Sequence, residues 1–148
     1  MLSESARMST AAEARFRVQA PNSTPRTVKI VALDAASEGT VRRLAAASWN
    51  QASFYTAAAF TQDVKAAVSD ADLVVMVAGP GGGSGAAAQI GAACSERRVM
   101  TTALIVGAAS TPDDELAKTL VQLRPWSLMV VIANADDYIQ DMLTALRA

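Results

Sequence analysis

A chain of 148 residues, 51% apolar and with a formal net charge of −1, suits one compact domain and offers no basic surface for nucleic acid or an anionic membrane. No apolar run approaches the ~18 residues of a membrane span. Histidine is absent, which excludes Ser-His-Asp and Cys-His catalysis, a His general base and His-ligated zinc, and the single Cys94 excludes an intramolecular disulfide.

Residues 1–13 read as a leader, with Thr10-Ala-Ala-Glu13 as a candidate capping box. The leader lacks an apolar stretch and carries Glu4 and Glu13, which argues against a secretory signal, and the expected location is cytoplasmic. Residues 14–148 read as a single α/β domain. Ala14, Phe16, Val18 and Ala20 alternate with Arg15, Arg17 and Gln19, the period of a half-buried strand serving as an antiparallel edge or an exchanged arm. A helix from Thr10 to Val18 is the alternative. Pro21 to Pro25 supply a turn, and residues 27–33 a strand.

Beyond that strand the pattern alternates. A helix is expected near 40–48, with Val41, Leu44 and Ala45 on one face, then a strand over 52–57. A helix over 61–70 places Val64, Ala67, Val68 and Ala71 at i, i+3, i+4 and i+7. A strand over 72–78 enters a glycine loop, and an Ala-rich helix over 86–97 leaves it. After a strand over 101–107, Thr111-Pro112-Asp113-Asp114-Glu115 reads as a helix start, with Thr111 as N-cap and Pro112 at the first helical position. Leu116, Leu120 and Leu123 stripe that helix, and Arg124-Pro125 ends it. A last strand over 127–133 and a closing helix with Ile139, Met142, Leu143 and Leu146 complete the pattern.

Strands alternating with amphipathic helices imply a three-layer α/β/α domain around a mainly parallel five-strand sheet of the Rossmann-like or flavodoxin-like type. Cys94 reads as a small core residue, and Trp49 and Trp126 as residues at the rim of the core.

The loop Gly79-Pro-Gly-Gly-Gly-Ser-Gly85 is the chain's most distinctive segment. A strand, a run of glycines and a helix let backbone N–H groups and a helix N-terminus face an anion. Gly81, Gly83 and Ala86 satisfy the dinucleotide pattern G-x-G-x-x-G/A, but Ile105-Val106-Gly107-Ala108 offers no ribose-binding acid after the next strand. A Walker loop fails too, because no Gly-Lys-Ser/Thr follows at the right spacing. The alternative to any ligand is a tight connection, required because Ala86, Ala87, Ala88, Gly91, Ala92 and Ala93 let the helix pack closely on the sheet.

Residues 71–97, with Ala71-Asp-Leu-Val-Val-Met-Val-Ala-Gly-Pro-Gly-Gly-Gly-Ser-Gly85 at their start, resemble the glycine signature of the tubulin/FtsZ family, in which a Gly-Gly-Gly-Thr/Ser-Gly loop wraps nucleotide phosphates. The resemblance implies that Gly81, Gly82, Gly83, Ser84 and Gly85 cradle a phosphate and that the ligand is a nucleotide, a purine nucleotide included. It also implies that the glycine strand neighbours the first strand, which gives the sheet order 2-1-3-4-5. Ala86 and Ala87 stand where the family has its second hydroxyl and last glycine, and Asp34-Ala-Ala-Ser-Glu-Gly39 stands where it has another glycine-rich phosphate loop. The chain has no counterpart of the family's second domain or of the acidic loop that completes its GTPase site, so neither GTP hydrolysis nor polymerisation is implied.

Other polar residues gather after the strands, where open α/β sheets bind ligands: Asp34, Ser37 and Glu38, then Ser110 and Thr111, then Asn134, Asp136 and Asp137. Most suit helix caps. Asp34 ends a buried strand with no helix expected before about Thr40, which leaves it for a ribose, an amine or a metal-bound water, with a plain loop carboxylate as the alternative. Ser37 joins it as a candidate ligand contact. Asp34 and Asp136 are the available acid–base groups, no metal site is expected, and whether the chain is an enzyme stays open. Two readings of function remain: a module holding a small phosphate-bearing molecule on the glycine loop, and a non-catalytic scaffold. The apolar content, the Arg-striped leader and the Ala-rich helices favour a homodimer.

Overall fold

Runs of β-branched and small apolar residues form the strands that this composition favours. The computed structural model describes residues 26–80, 84–107, 111–133 and 136–148, and the strand expected over 14–20 lies outside them. β1 (Val28–Ala32), β2 (Ala52–Thr56), β3 (Leu73–Ala78), β4 (Met100–Val106) and β5 (Met129–Ala133) build one parallel sheet in the order β2-β1-β3-β4-β5, the expected arrangement. Val28 pairs with Ala52 on one side and Leu73 on the other, Leu73 with Met100, and Thr102 with Met129. Every residue of β1 and β3 is buried, as a central strand covered on both faces requires.

The helices divide between two faces. On one, α1 (Ala35–Ala45) and α6 (Asp136–Ala145) bring Val41, Leu44, Ile139 and Leu143 onto Ile30, Val75 and Leu104. On the other, α2 (Ala57–Thr61), α3 (Val64–Val68), α4 (Ser84–Arg97) and α5 (Asp113–Leu123) bring Phe60, Val68, Ile90 and Leu123 onto Val31, Met76 and Ile105. Crossovers therefore leave β1 and β3 for opposite faces, the topological switch at which open α/β sheets hold ligands. Cys94 lies in the second core, 1% exposed. Trp49 and Trp126 are half-buried against the cores.

Three boundaries differ from the sequence expectation. α1 begins at Ala35, not near Thr40, because Asp34 caps it: Ser37 N donates to Asp34 Oδ1 at 2.9 Å, and Ser37 Oγ lies 3.4 Å from the Asp34 amide that donates to it. The single helix expected over 61–70 is two short ones, since Asp63 leaves helical geometry (φ −142°) and accepts from Ala66 N at 3.3 Å. Thr111 is not the N-cap of α5. Pro112 holds that position with no side-chain cap, while Thr111 Oγ1 donates to Gly107 O at 2.9 Å.

Lys29 is the one strongly polar residue in β1. Its Nζ donates to Asp70 Oδ1 at 2.6 Å and to Ala67 O, which satisfies a buried ammonium beneath α3. Among the described residues no helix is long and apolar enough to cross a membrane, and no group of side chains could hold a metal ion.

Candidate functional site

The C-terminal ends of β1 and β3 are tied together. The Asp34 carboxylate, already bonded to Ser37 N, also accepts from Gly79 N, at 3.0 Å to Oδ2 and 3.2 Å to Oδ1. Leu33 N donates to Val77 O at 2.8 Å just below. A Cβ on Gly79 would stand 2.7 Å from Ala36 Cβ, so the two loops touch at a distance only glycine permits. Asp34 is thus a half-buried brace whose two oxygens accept from backbone N–H groups, and the availability that the sequence suggested rested on a helix start placed too late. Ser37 is fully buried, and its hydroxyl donates to Asp34 O at 3.0 Å.

Beside this brace, on the α1–α6 face, a cavity of about 290 Å³ opens at the ends of β3, β4 and β5. Gly79 and Pro80 form one wall, Val106 and Gly107 another, with Ala133 and Ile139 opposite. α1 contributes Ala36, Thr40 and Arg43, spaced i, i+4 and i+7 so that one helical face looks into the space. Thr40 is buried, and Arg43 Nη2 donates to its Oγ1 at 3.2 Å. Gly107 adopts φ +75°, a conformation that suits glycine, and its carbonyl accepts from Thr111. Among the described residues the lining mixes apolar side chains with two polar ones, Thr40 and Arg43, a composition found in small-molecule sites.

Of the residues picked out from sequence, Gly81, Gly82 and Gly83 lie outside the described residues, as do Ser110 and Asn134. Ser84 opens α4, and Gly85 is exposed in its first turn with nothing within 4 Å of an added Cβ. Asp136 opens α6. Glu38 faces away from the cavity, lining a shallower depression with Arg42, Phe54 and Tyr55. Thr40 and Arg43 were not singled out from sequence. With Asp34 read as the N-cap, the helix register would have set them on Ala36's face.

No protein-family model matches the chain, and no curated protein sequence does. A solved structure that is similar is "FtsZ dimer, empty (M. jannaschii)", at a TM-score of 0.59 and 14% identity, over 90% of this chain and 52% of that one. The chain thus spans about half the length of that protein. The likeness is one of fold, and it places the five-strand parallel sheet and its flanking helices in the same architecture.

Proposed function

We propose that this chain binds a small phosphate-bearing molecule of the nucleotide class at the C-terminal end of its sheet. The observation that carries this reading is the cavity that begins at Gly79 and Pro80 and has Thr40 and the Arg43 guanidinium on its other side. Backbone N–H groups from Gly81 to Gly85 and the N-terminal end of the 14-residue α4 would take the phosphate. Arg43 would supply a planar cation with donors suited to phosphate oxygens. The ligand's less polar body would lie over Val106, Ala133 and Ile139. The resemblance of residues 71–97 to the tubulin/FtsZ signature and the FtsZ-like fold agree with a nucleotide, and a purine nucleotide is the first to test.

In this reading Asp34 and Ser37 shape the site and do not touch the ligand. The carboxylate repels an anion less than its formal charge suggests, because Ser37 N and Gly79 N both donate to it. The same bonds argue against Asp34 as a general base, so the function proposed is binding, in a protein of the cell's soluble interior.

A panel of nucleoside mono-, di- and triphosphates tested by thermal shift decides it. A melting temperature that rises with ligand concentration, and a rise that Arg43→Ala or Gly83→Val removes, is the expected result. No shift with any nucleotide at millimolar concentration overturns it.

The second reading is a scaffold without a ligand. It draws on the contact between Gly79 and Ala36, which shows that the first glycine of the loop is already required by packing. The same titration separates the two.

A further inference from the structure

Among the described residues β5 is an outer strand of the sheet, and Ser127-Leu-Met-Val-Val-Ile-Ala133 contains no charge, proline or glycine. Exposed edges are ordinarily blunted by such residues, because unpaired N–H and C=O groups invite another strand. Here the edge is also apolar: Leu128 is 73% exposed, Ile132 44% and Met129 43%. The bonds Leu73 N to Thr27 O and Leu33 N to Val77 O, carried through the sheet register, set Thr101, Ala103 and Ile105 toward β5, so Met129, Val131 and Ala133 direct their backbone groups toward β4. Those of Val130 and Ile132 point outward.

The strand expected over 14–20 would have little reach to this edge. Arg26 N is bonded to Arg147 O beside the start of β1. A strand over 14–20 would be joined to Arg26 by a connection containing Pro21 and Pro25, with a reach of about 19 Å at ~3.1 Å per residue. Lying outside β5 means crossing four strand spacings, about 19 Å, with no slack, whereas lying outside β2 means crossing two, about 10 Å.

We propose that β5 pairs antiparallel with β5 of a second copy of this chain, joining two sheets into one. A two-fold axis at Val131 sets Val130 against Ile132 of the second copy as a pair that exchanges both N–H···O bonds, so the outward backbone groups find partners. On the other face Val131 lies opposite its own copy and Met129 opposite Ala133. The charges flanking the strand are suited to this sense alone. Exposed Arg98 and Arg124 stand near the start of β5, and Asp136-Asp137 follow its end in sequence. Antiparallel pairing sets the basic end of one copy against the acidic end of the other, whereas parallel pairing would match like with like. Three exposed side chains of about 100 Å² each fall short of the ~800 Å² per partner of a standard interface, so the dimer proposed is a weak one that forms with rising concentration. The ligand cavity is separate from this edge, so either proposal survives failure of the other.

Sedimentation velocity of the full chain over a hundredfold concentration range from the low micromolar tests it. The expected result is a monomer–dimer equilibrium whose dissociation constant rises at least tenfold in Met129→Lys/Ile132→Lys, with the melting temperature of the monomer retained. Leu128→Glu, at the most exposed position, is the second variant and is expected to weaken the dimer in the same direction. Phe16→Asp in the N-terminal segment is expected to leave the dimer unchanged. A monomer at every concentration, a dimer indifferent to both β5 variants, or a dimer lost through Phe16→Asp alone overturns the proposal.

Discussion

The amide of Gly79 donates to the carboxylate of Asp34 across 45 residues of sequence, at 3.0 Å to Oδ2 and 3.2 Å to Oδ1. One side chain thereby caps α1 and fastens the ends of two central strands whose helices depart to opposite faces. The bond sets the position of Gly79, and with it the wall from which the glycine loop leaves.

Asp34→Ala removes the cap and the brace together. A lost cap costs about 1 kcal/mol and a lost charge-assisted bond to a backbone N–H about 1.5–3 kcal/mol, so a loss of roughly 2–4 kcal/mol is expected by urea unfolding. Asp34→Asn keeps one acceptor oxygen and should lose about half as much. Equal stability of all three proteins would show that the brace contributes nothing.

Gly79→Ala and Gly85→Ala should differ in sign. The first forces a Cβ to within 2.7 Å of Ala36 Cβ, where both neighbours are backbone-anchored, and overpacking of this kind costs about 1–3 kcal/mol. The second meets open space in the first turn of a helix and should be neutral or stabilising by up to ~1 kcal/mol. Comparison of their melting temperatures checks the geometry. A Gly85→Ala protein that is at least as stable but no longer shifts with nucleotide would mark close approach of a ligand at that residue.

The Lys29–Asp70 bond should appear in the acid limb of the stability profile. Hydrogen bonding to Lys29 and, next, its charge hold the Asp70 carboxyl below its ordinary value of 3.8. A group with a depressed folded pKa contributes stability that is present above the unfolded value and lost as pH falls through the folded one. Unfolding followed from pH 6 downward should therefore show a component lost below about pH 3.8 in the native sequence and missing in Asp70→Asn. The effect is small, since Asp70 is largely exposed. An unchanged acid limb would contradict it.

Cys94 should be a slow thiol. Burial pushes its pKa up to about 11, so at pH 8 almost none is thiolate, and the side chain is 1% exposed. Alkylation at pH 8 should proceed only through opening of the α4 packing, and become rapid in denaturant. Fast labelling of the native protein would place the thiol at the surface.

The alternation of strands with helices and the two-sided core were legible because the cause is local and repeated. Leu73-Val-Val-Met-Val-Ala78 is apolar at every position, which only a strand covered on both faces tolerates, and all six residues are buried. Helix starts were less legible where a single polar side chain decides them: Asp34 caps α1, Asp63 divides α2 from α3, and Thr111 turns back to Gly107 and leaves Pro112 at the cap. The expectation of a candidate site at the C-terminal ends of the strands followed from topology, and the strand order from the resemblance of residues 71–97. What only the tertiary structure decided is which face the cavity opens on and which groups line it. Asp34 and Gly79 pair because β1 and β3 are neighbours, and that contact gives the candidate ligand carboxylate a backbone N–H partner 45 residues away. Thr40 and Arg43 join Pro80 and Ile139 because α1 and α6 share a face. Such contacts depend on where separate elements dock, and residue type and spacing along the chain carry no record of the distance between them.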